Sequence, residues 1–237
     1  MNKYYSQYQQ DKFLNEVLFK NKKNGVFVDI GANDGVTISN SYFFEKNLGW
    51  AGICFEPLTE AFNKLEENRS SININGCASD KNYLDTFYNV HGYGEMLSGL
   101  KSKYDDRHLE RINKTLEEYG GHITETEVQC LDINDTLKEN NIKNIDFISV
   151  DTEGGELNIL QAIAFEAFKI KAVVVENNYS TPDIFHFMRS KGYFRVAYLS
   201  TDEIYLHPKH YGYIKALIIR YRLKFTKLSS KFNPVSH

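Results

Sequence analysis

The feature that most constrains the fold of this chain is residues 26–35, VFVDIGANDG, where an apolar run passes directly into an acidic turn with two glycines. An apolar run of this length, bounded by a turn, is typical of a buried strand. Gly31 and Gly35 can adopt backbone angles that side chains disfavour, and they let a ligand lie close to the turn. Asn33 and Asp34 offer oxygens that can cap a following helix. The segment therefore predicts a strand and turn that bind a nucleoside-bearing cofactor.

The spacing of the turn residues distinguishes between two classes of cofactor. Dinucleotide-binding turns read G-x-G-x-x-G and direct a helix N-terminus at a pyrophosphate. The pattern here is D-x-G-x-x-x-G, and the carboxylate of Asp29 would repel a diphosphate. The cationic sulfonium and ammonium groups of S-adenosylmethionine suit this turn better. We expect S-adenosylmethionine at Asp29, Gly31 and Asn33; a tight turn of another α/β protein is the alternative interpretation.

A second apolar run, residues 51–55, ends in Glu56 and Pro57. Pro57 has no backbone N–H, so the strand should end there. Glu56 stands 27 residues after Asp29, close to the position at which doubly wound sheets bring an acid to the ribose hydroxyls. We expect Glu56 to bind the ribose, and a solvated acid at a strand end is the alternative.

Apolar runs alternate with helical patterns along the chain, which predicts an α/β fold with a parallel sheet and helices on both faces. With 237 residues, 42% of them hydrophobic, the chain can form one sizeable core. We expect a polar N-terminal extension at 1–24, the main domain at 25–207 and a basic tail at 208–237. The predicted strands are 26–30, 51–55, 72–77, 146–150, 172–176, 194–199 and 203–206, and the predicted helices are 37–46, 59–68, 155–168 and 182–191.

Residues 81–128 interrupt this alternation with a long polar stretch rich in glycine and tyrosine, and a helical pattern over 101–118. Insertions of this size are commonly lids or substrate-binding loops. His91, Tyr93 and His122 are its candidate functional side chains, although such residues are more often ordinary surface groups.

The three cysteines, Cys54, Cys77 and Cys130, are odd in number and far apart in the sequence, which favours neither a disulfide framework nor a zinc site. The N-terminus lacks the apolar core of a signal peptide, and no later run reaches membrane-spanning length. We therefore expect a cytoplasmic protein.

The charge of the chain is unevenly distributed. Residues 208–237 hold seven of the 28 basic residues and none of the 31 acidic ones, which leaves residues 1–207 with a net charge of −10. The pattern over 214–225 predicts a basic amphipathic helix. Such a helix can rest on a membrane surface, meet another anionic partner, or simply pack on the domain with its charges solvated.

A cluster of carboxylates follows the predicted strand 146–150. Asp151, Glu153 and Glu156 stand close together in the sequence, and like charges this close are unfavourable without a cation. Asp151 and Glu153 should lie at the same edge of the sheet as Glu56, because ligands bind at the carboxyl ends of parallel strands. Glu156 is expected to cap a helix.

The next strand also ends in oxygen-bearing side chains, Glu176 and Asn177. We expect Asp151, Glu153 and Glu176 to act in catalysis. Asp151, Glu176 and Asn177 could together bind one Mg²⁺ ion through hard oxygen ligands. The alternative is metal-free, with Asp151 or Glu176 acting as a general base.

Together these segments resemble the FkbM family of S-adenosylmethionine-dependent methyltransferases over about residues 25–206. The motifs that carry the resemblance are VFVDIGANDGVTISNSYFFEK, GWAGICFEP, NGCASD, LDIND and DFISVDTEGGELNILQ. The resemblance implies a class I methyltransferase fold, with seven strands in the order 3-2-1-4-5-7-6 and strand 7 antiparallel. It also implies O-methylation of a sugar or glycan hydroxyl, as in a capsule, glycolipid or antibiotic.

The resemblance also assigns roles to individual residues. Asp29 and Gly31 would lie along the methionine part of the cofactor and Glu56 on the ribose. Ser79 and Asp80 would lie beside the adenine edge. Asp151, with Glu153, would stand at the catalytic side of the cofactor.

Other functions remain open at this point. A nucleotide-sugar or NAD-dependent oxidoreductase would use a related sheet, but Asp29 and the missing G-x-G-x-x-G oppose it. A methyltransferase for a non-sugar small molecule fits the same motifs, and a binding protein without activity would fit if the cofactor site had decayed. A nucleic-acid methyltransferase is disfavoured because the main domain is acidic. We therefore expect a small-molecule or saccharide acceptor and no nucleic-acid partner.

Overall fold

The computed structural model describes residues 2–225, with side chains described as far as Ile219. These residues contain eleven strands and nine α-helices. The strands are β1 (Val26–Ile30), β2 (Ala51–Phe55), β3 (Ile72–Ile74), β4 (Cys77–Ser79), β5 (Tyr83–His91), β6 (Gly99–Leu100), β7 (His122–Asp132), β8 (Asn144–Val150), β9 (Lys169–Glu176), β10 (Phe194–Leu199) and β11 (Asp202–Leu206). The helices are α1 (Gln10–Phe13), α2 (Tyr42–Leu48), α3 (Thr59–Asn68), α4 (Asp106–Tyr119), α5 (Ile133–Glu139), α6 (Glu156–Ala162), α7 (Pro182–Ser190), α8 (Pro208–Tyr211) and α9 (Tyr213–Phe225).

Seven of the strands form the main sheet, in the order β10-β11-β9-β8-β1-β2-β3. When only these seven strands are counted along the chain, the order reads 3-2-1-4-5-7-6 from the β3 edge. The strand β11 is antiparallel to both of its neighbours, while β1, β2, β3, β8 and β9 pair in parallel. The carboxyl ends of the parallel strands therefore share one edge, where ligands bind in open α/β sheets.

The main sheet is covered on both faces by apolar side chains. Phe27 and Val28 are neighbours in β1, so they point to opposite faces, and both are fully buried. Val28 belongs to the core that includes α5, α6 and α7. Phe27 belongs to the aromatic core on the other face, beside Phe44 and Phe147. Burial on both faces explains why the central strands read as continuous apolar runs.

The N-terminal segment packs on the aromatic face of the main sheet. Phe13 and Leu14 belong to the same core as Phe147. The side-chain amide of Gln10 donates a 2.5 Å hydrogen bond to the buried Asp202 at the start of β11. The segment is thus fixed to the sheet by both apolar and polar contacts.

Two of the predicted helices are shorter than expected. The helix predicted at 37–46 begins only at Tyr42, because the carboxylate of Asp34 accepts from the backbone N–H groups of Val36 and Thr37 and closes a turn there. The helix predicted at 155–168 ends at Ala162. Residues 37–41 therefore form a loop, which follows the turn that Asp34 closes.

The insertion, together with β4 just before it, forms a second sheet in the order β4-β7-β5-β6, which was not predicted from the sequence. The strand predicted at 72–77 is wrong in extent, because it divides into β3 of the main sheet and β4 of the second sheet. The helix α4 packs on the second sheet through a small core of Val90, Leu97 and Ile112.

The C-terminal helix α9 is docked on the aromatic core through Ala216 and Ile219. The predicted helical pattern over 214–225 is confirmed. The last residues of the basic tail, including Lys227 and Lys231, lie outside the described residues. No helix in residues 2–225 is long and apolar enough to cross a membrane.

Candidate active site

A cavity of about 340 Å³ lies at the carboxyl ends of β1, β2 and β8, and we call it the cofactor cavity. Every residue that the sequence analysis assigned to the cofactor lines this cavity. These residues are Asp29, Gly31, Asn33, Glu56, Ser79, Asp80 and Asp151. The second sheet also contributes to the wall, through Phe87 and Leu100. The insertion therefore covers the predicted cofactor site.

The carboxylate of Glu56 is held in a fixed position at the end of β2. One of its oxygens accepts from the backbone N–H of Asn33 and the other from that of Leu58, each at 2.9 Å. Burial raises the pKa of Glu56 to about 7, although both hydrogen bonds act in the opposite direction. An incoming hydroxyl donor would relieve this desolvation, which is consistent with a ribose-binding role.

Asp29 lines the cofactor cavity but is already engaged in a buried polar network. The hydroxyl of Ser41 donates to its carboxylate at 2.5 Å. Arg69 donates in turn to Ser41, at 2.9 Å, and to the carboxylate of Glu45, at 2.7 Å. Burial raises the pKa of Asp29, while the charge of Arg69 lowers it. Asp29 therefore fixes the loop that forms one wall of the cavity.

Gly31 is required by a contact that the sequence analysis did not foresee. Its φ is +86°, and a Cβ atom at this position would stand 1.8 Å from the carbonyl oxygen of Asp151. The space left by the missing side chain is thus taken by the backbone that follows β8. Gly31 allows the ends of β1 and β8 to approach closely, and the cofactor cavity opens beside that contact.

The loop 37–41 brings two unusual residues to the cofactor cavity. Ile38 has a φ of +49°, which is strained for a β-branched residue. Asn40 is buried, and its Nδ2 donates to the hydroxyl of Ser149 at 3.0 Å. The Oδ1 atom of Asn40 has no hydrogen-bond partner among the described residues. An unpaired buried acceptor beside a cavity is free to bind a ligand N–H group.

Asp151, Glu153 and Glu176 form an acidic cluster, with one oxygen of each lying within 4.8 Å of the others. Burial raises the pKa of Glu153 to about 7, although the charge of Arg111 lowers it. Burial, together with repulsion from Asp151 and Glu153, raises the pKa of Glu176 to about 11. The pKa of Asp151 is raised in the same way. The Oε2 atom of Glu176 has no hydrogen-bond partner in the described part of the chain. The sequence analysis correctly expected these three residues to lie together, while their catalytic role stays a prediction.

The amide of Asn177 is engaged by protein groups, and the expected metal-ligand set Asp151, Glu176 and Asn177 stays a prediction. The Nδ2 of Asn177 donates to the carbonyl of Thr181 at 2.9 Å and to Glu203 at 3.0 Å, and its Oδ1 accepts from the N–H of Thr181. Its amide therefore holds the turn after β9.

Glu153 supplies the third carboxylate of the acidic cluster. Its backbone is in the left-handed region, with a φ of +53°. Its carboxylate accepts from Asn178 at 3.1 Å and lies 3.6 Å from the guanidinium of Arg111. The neighbouring Glu156 accepts from the N–H of Gly154 at 2.7 Å and so holds the loop after β8. The helix-capping role expected for it is wrong, because the N-cap residue of α6 is Gly155 and no described side chain caps that helix.

A second cavity of about 220 Å³ lies beside the acidic cluster, and we call it the acceptor cavity. It shares Glu153, Gly154 and Gly155 with the cofactor cavity, so the two cavities meet at the loop after β8. Side chains of the insertion and of the turn after β9 complete its walls. They include Tyr104, Arg107 and His108 from the insertion and Asn178 and Tyr179 from the turn.

His108 is the buried histidine of this region, and the sequence analysis missed it. Its Nε2 lies 3.1 Å from the carbonyl oxygen of Leu97, and its Nδ1 lies 3.3 Å from the hydroxyl of Tyr179. Because a carbonyl oxygen only accepts, Nε2 carries the proton and Nδ1 accepts from Tyr179. Burial lowers the pKa of His108, which favours this neutral form.

The candidates named in the insertion lie elsewhere. His91 and His122 stack on each other at 4.5 Å, and Tyr93 stacks on Tyr119 at 4.3 Å. None of the three candidates lines either cavity, and a functional role for them stays a prediction.

Comparison with known proteins places this architecture in a family. Residues 29–195 match the Methyltransferase FkbM domain. The chain belongs to this family, and thus to the methyltransferases as a class.

Individual relatives are more distant. Methyltransferase sdnD of Sordaria araneosa is 26% identical over 174 residues, which cover 65% of this chain and 66% of that protein, just under two thirds of its length. The delta-N METTL16 MTase domain is 13% identical, with a TM-score of 0.41, and the match covers 84% of this chain and 80% of that one. M. jannaschii TYW2 in complex with AdoMet is also 13% identical, with a TM-score of 0.40, and the match covers 86% and 78% of the two chains.

Proposed function

We propose that this chain transfers the methyl group of S-adenosylmethionine to a hydroxyl of a sugar or glycan. The observation that carries this proposal is the junction of the two cavities at Glu153, Gly154 and Gly155, directly beside the acidic cluster. A donor in one cavity and an acceptor in the other would meet at this junction. Methyl transfer depends mainly on such an in-line approach, so positioning supplies most of the catalysis.

The cofactor cavity offers complementary groups for each part of S-adenosylmethionine. Glu56 can accept from the ribose hydroxyls, and Ser79 with Asp80 can bind the adenine edge. Asn40 has a free acceptor for the ammonium group of the methionine part. The carboxylate of Asp151 lies in the same cavity and favours the positive sulfonium.

The acceptor hydroxyl must lose its proton as its oxygen attacks the methyl carbon. The new O–C bond forms while the C–S bond breaks, and the sulfonium becomes a neutral thioether. Burial raises the pKa of Glu153 to about 7, so its carboxylate is a better proton acceptor than an ordinary one and is still partly ionised at neutral pH. We assign the catalytic role to the acidic cluster. Glu176, one of its members, lines the acceptor cavity.

The composition of the acceptor cavity supports a sugar. It combines the ring of Tyr104 and the phenol of Tyr179 with the amide of Asn178 and the hydroxyl of Thr181. Aromatic faces beside a few convergent polar groups suit a ligand that has apolar C–H faces and many hydroxyls. A non-sugar hydroxyl compound is the alternative, and the net charge of −10 over residues 1–207 opposes a nucleic acid.

A divalent cation such as Mg²⁺ at the acidic cluster is the alternative to the use of its carboxylates as proton acceptors. One carboxylate oxygen of each of the cluster's three residues lies within 4.8 Å of the other two, and the Oε2 atom of Glu176 has no hydrogen-bond partner among the described residues. This arrangement fits one ion. Asp151, Glu153 and Glu176 would hold it, and the ion would neutralise their charge and polarise an acceptor oxygen. Full activity after removal of divalent ions with EDTA would contradict the role of the metal ion and leave the proposed methyl transfer intact.

Calorimetry with S-adenosylmethionine tests the cofactor site, with NADH as the comparison ligand. Replacing Glu56 by Ala should weaken binding by about 1–3 kcal/mol, because charge-assisted hydrogen bonds are lost. The exposed Glu60 provides a control, since Glu60→Ala should leave the affinity unchanged. Equal affinities of wild type and Glu56→Ala would remove Glu56 from the site.

Transfer of a radiolabelled methyl group to a panel of saccharide and non-saccharide acceptors tests the reaction. Glu176 lines the acceptor cavity and not the cofactor cavity, so Glu176→Gln should abolish transfer while the affinity for S-adenosylmethionine is retained. Label found only on non-saccharide hydroxyls would overturn the glycan assignment. Normal turnover by Glu176→Gln would overturn the role of this residue.

A further inference from the structure

We propose that the C-terminal helix α9 binds the surface of an anionic membrane. The helix is attached to the domain by Ala216 and Ile219, which are 0% and 8% exposed. Ile214, Leu217 and Ile218 are 75%, 46% and 47% exposed, although all three are aliphatic. In residues 213–219, the part of α9 whose side chains are described, most of the apolar surface therefore faces solvent instead of the core.

The exposed apolar residues lie on one side of the helix. With 3.6 residues per turn, positions 213, 214, 217 and 218 form one continuous stripe, and the buried positions 216 and 219 lie on the opposite side. Tyr213, the fourth member of this stripe, is 64% exposed. The sequence continues the four-residue spacing with Tyr221 and Phe225. A contiguous apolar stripe on a docked helix indicates an interaction surface.

The charge of this region selects the partner. Residues 208–237 contain seven basic residues and no acidic one, while the rest of the chain is acidic. Clusters of four to eight basic residues beside an amphipathic helix are typical of binding to anionic lipids, at about 1 kcal/mol for each basic residue near the surface. A bilayer offers both an apolar interior for the stripe and anionic headgroups for the basic residues.

Helix α9 lies away from both cavities, so membrane binding through it would not block the proposed methyl transfer. Helix α9 packs beside β10, which is the edge strand of the main sheet. None of the described residues of α9 lines either cavity. Because no described helix can span the bilayer, α9 would lie along the membrane surface and hold the domain beside it. This inference does not rest on the proposed methyl transfer.

Cosedimentation of the full chain with lipid vesicles tests the proposal. The wild type should bind vesicles of phosphatidylcholine mixed with phosphatidylglycerol, and it should not bind phosphatidylcholine alone. Binding should weaken as the salt concentration rises. The triple variant Ile214→Ser, Leu217→Ser, Ile218→Ser should bind the anionic vesicles at least roughly tenfold more weakly, because it removes the apolar stripe and keeps every charge.

Leu84→Ser provides the matched control, because Leu84 is a 58% exposed aliphatic residue in the insertion. It should bind vesicles as the wild type does. Calorimetry with S-adenosylmethionine should give the same affinity for the wild type and the triple variant, which separates this proposal from the catalytic one. Three results would overturn it: no binding to anionic vesicles, equal binding by the triple variant, or a wild-type dimer in sedimentation velocity that the triple variant lacks. The last result would identify a second copy of the chain as the partner of the stripe.

Discussion

Replacing Gly31 by Ala should cost far more stability than an ordinary glycine replacement. Two effects add at this position. A φ of +86° is unfavourable for any residue with a Cβ atom, by about 1–2 kcal/mol. The new Cβ would also stand 1.8 Å from the carbonyl oxygen of Asp151, so the two strand ends would have to separate by more than 1 Å. Overpacking of this kind costs typically about 1–3 kcal/mol more. We therefore expect a total loss of about 4 kcal/mol.

Gly120 provides the matched control for this prediction. Its φ is +74°, but nothing lies within 4 Å of the position of a Cβ atom. Its ψ of 177° places it in a region that is nearly restricted to glycine, so Gly120→Ala should lose only the conformational part, about 1–3 kcal/mol. Urea unfolding, followed by the fluorescence of the single and buried Trp50, measures both variants. Equal losses in the two variants would refute the idea that the contact between Gly31 and Asp151 holds the strand ends together.

Three further predictions concern the polar groups around the site. Asn40→Ala should lower the affinity for S-adenosylmethionine by about 1–2 kcal/mol in calorimetry. The affinity for 5′-methylthioadenosine, which lacks the amino-acid part, should be unchanged. Equal losses for both ligands would show that Asn40 does not bind the amino-acid part. Arg69→Met should lower the free energy of unfolding by about 3–5 kcal/mol, because it removes the buried guanidinium that contacts Glu45 at 2.7 Å and leaves this carboxylate only the N–H of Ser70 and a 3.7 Å contact with Lys46. A change near zero in urea titrations would show that the network is dispensable. The ligand-free protein should lose stability between about pH 5 and pH 8, because burial raises the pKa of Glu56 to about 7 and that of Asp202 to about 6. The folded state holds these protons more tightly than the unfolded state does, so stability falls as the pH passes the folded values, and a urea midpoint that rises over this range would contradict the assignment.

The main sheet could be predicted from the sequence because its signals are local. Each central strand is a continuous apolar run that ends in a polar turn, as in residues 26–35, and parallel strands bring those ends to one edge. The second sheet could not be predicted in this way. Its longest pair, β5 with β7, joins residues about 30–50 positions apart and exposes many polar side chains. A local pattern over residues 81–128 therefore reads as a loop and a helix.

The difference between local sequence signals and tertiary packing also decides which residues of the site could be predicted. Residues at strand ends, such as Glu56 and Asp151, were predicted together with their cavity. Asn40 and His108 were missed, because a loop and an inserted helix reach the site only through tertiary packing. Glu153 was expected beside Asp151, but the left-handed backbone that brings it there was not, because a glutamate in a sequence gives no sign of a positive φ.

The docking of the first two dozen residues has a practical consequence for anyone who trims this protein. A shortened version that starts at residue 25 would retain every residue of both cavities, yet it would be a damaged molecule. The aromatic rings of Phe43, Phe44 and Phe147 would meet water, and the buried carboxylate of Asp202 would lose the amide of Gln10. Such a version should precipitate or unfold on warming, even though it contains every residue of the proposed reaction centre.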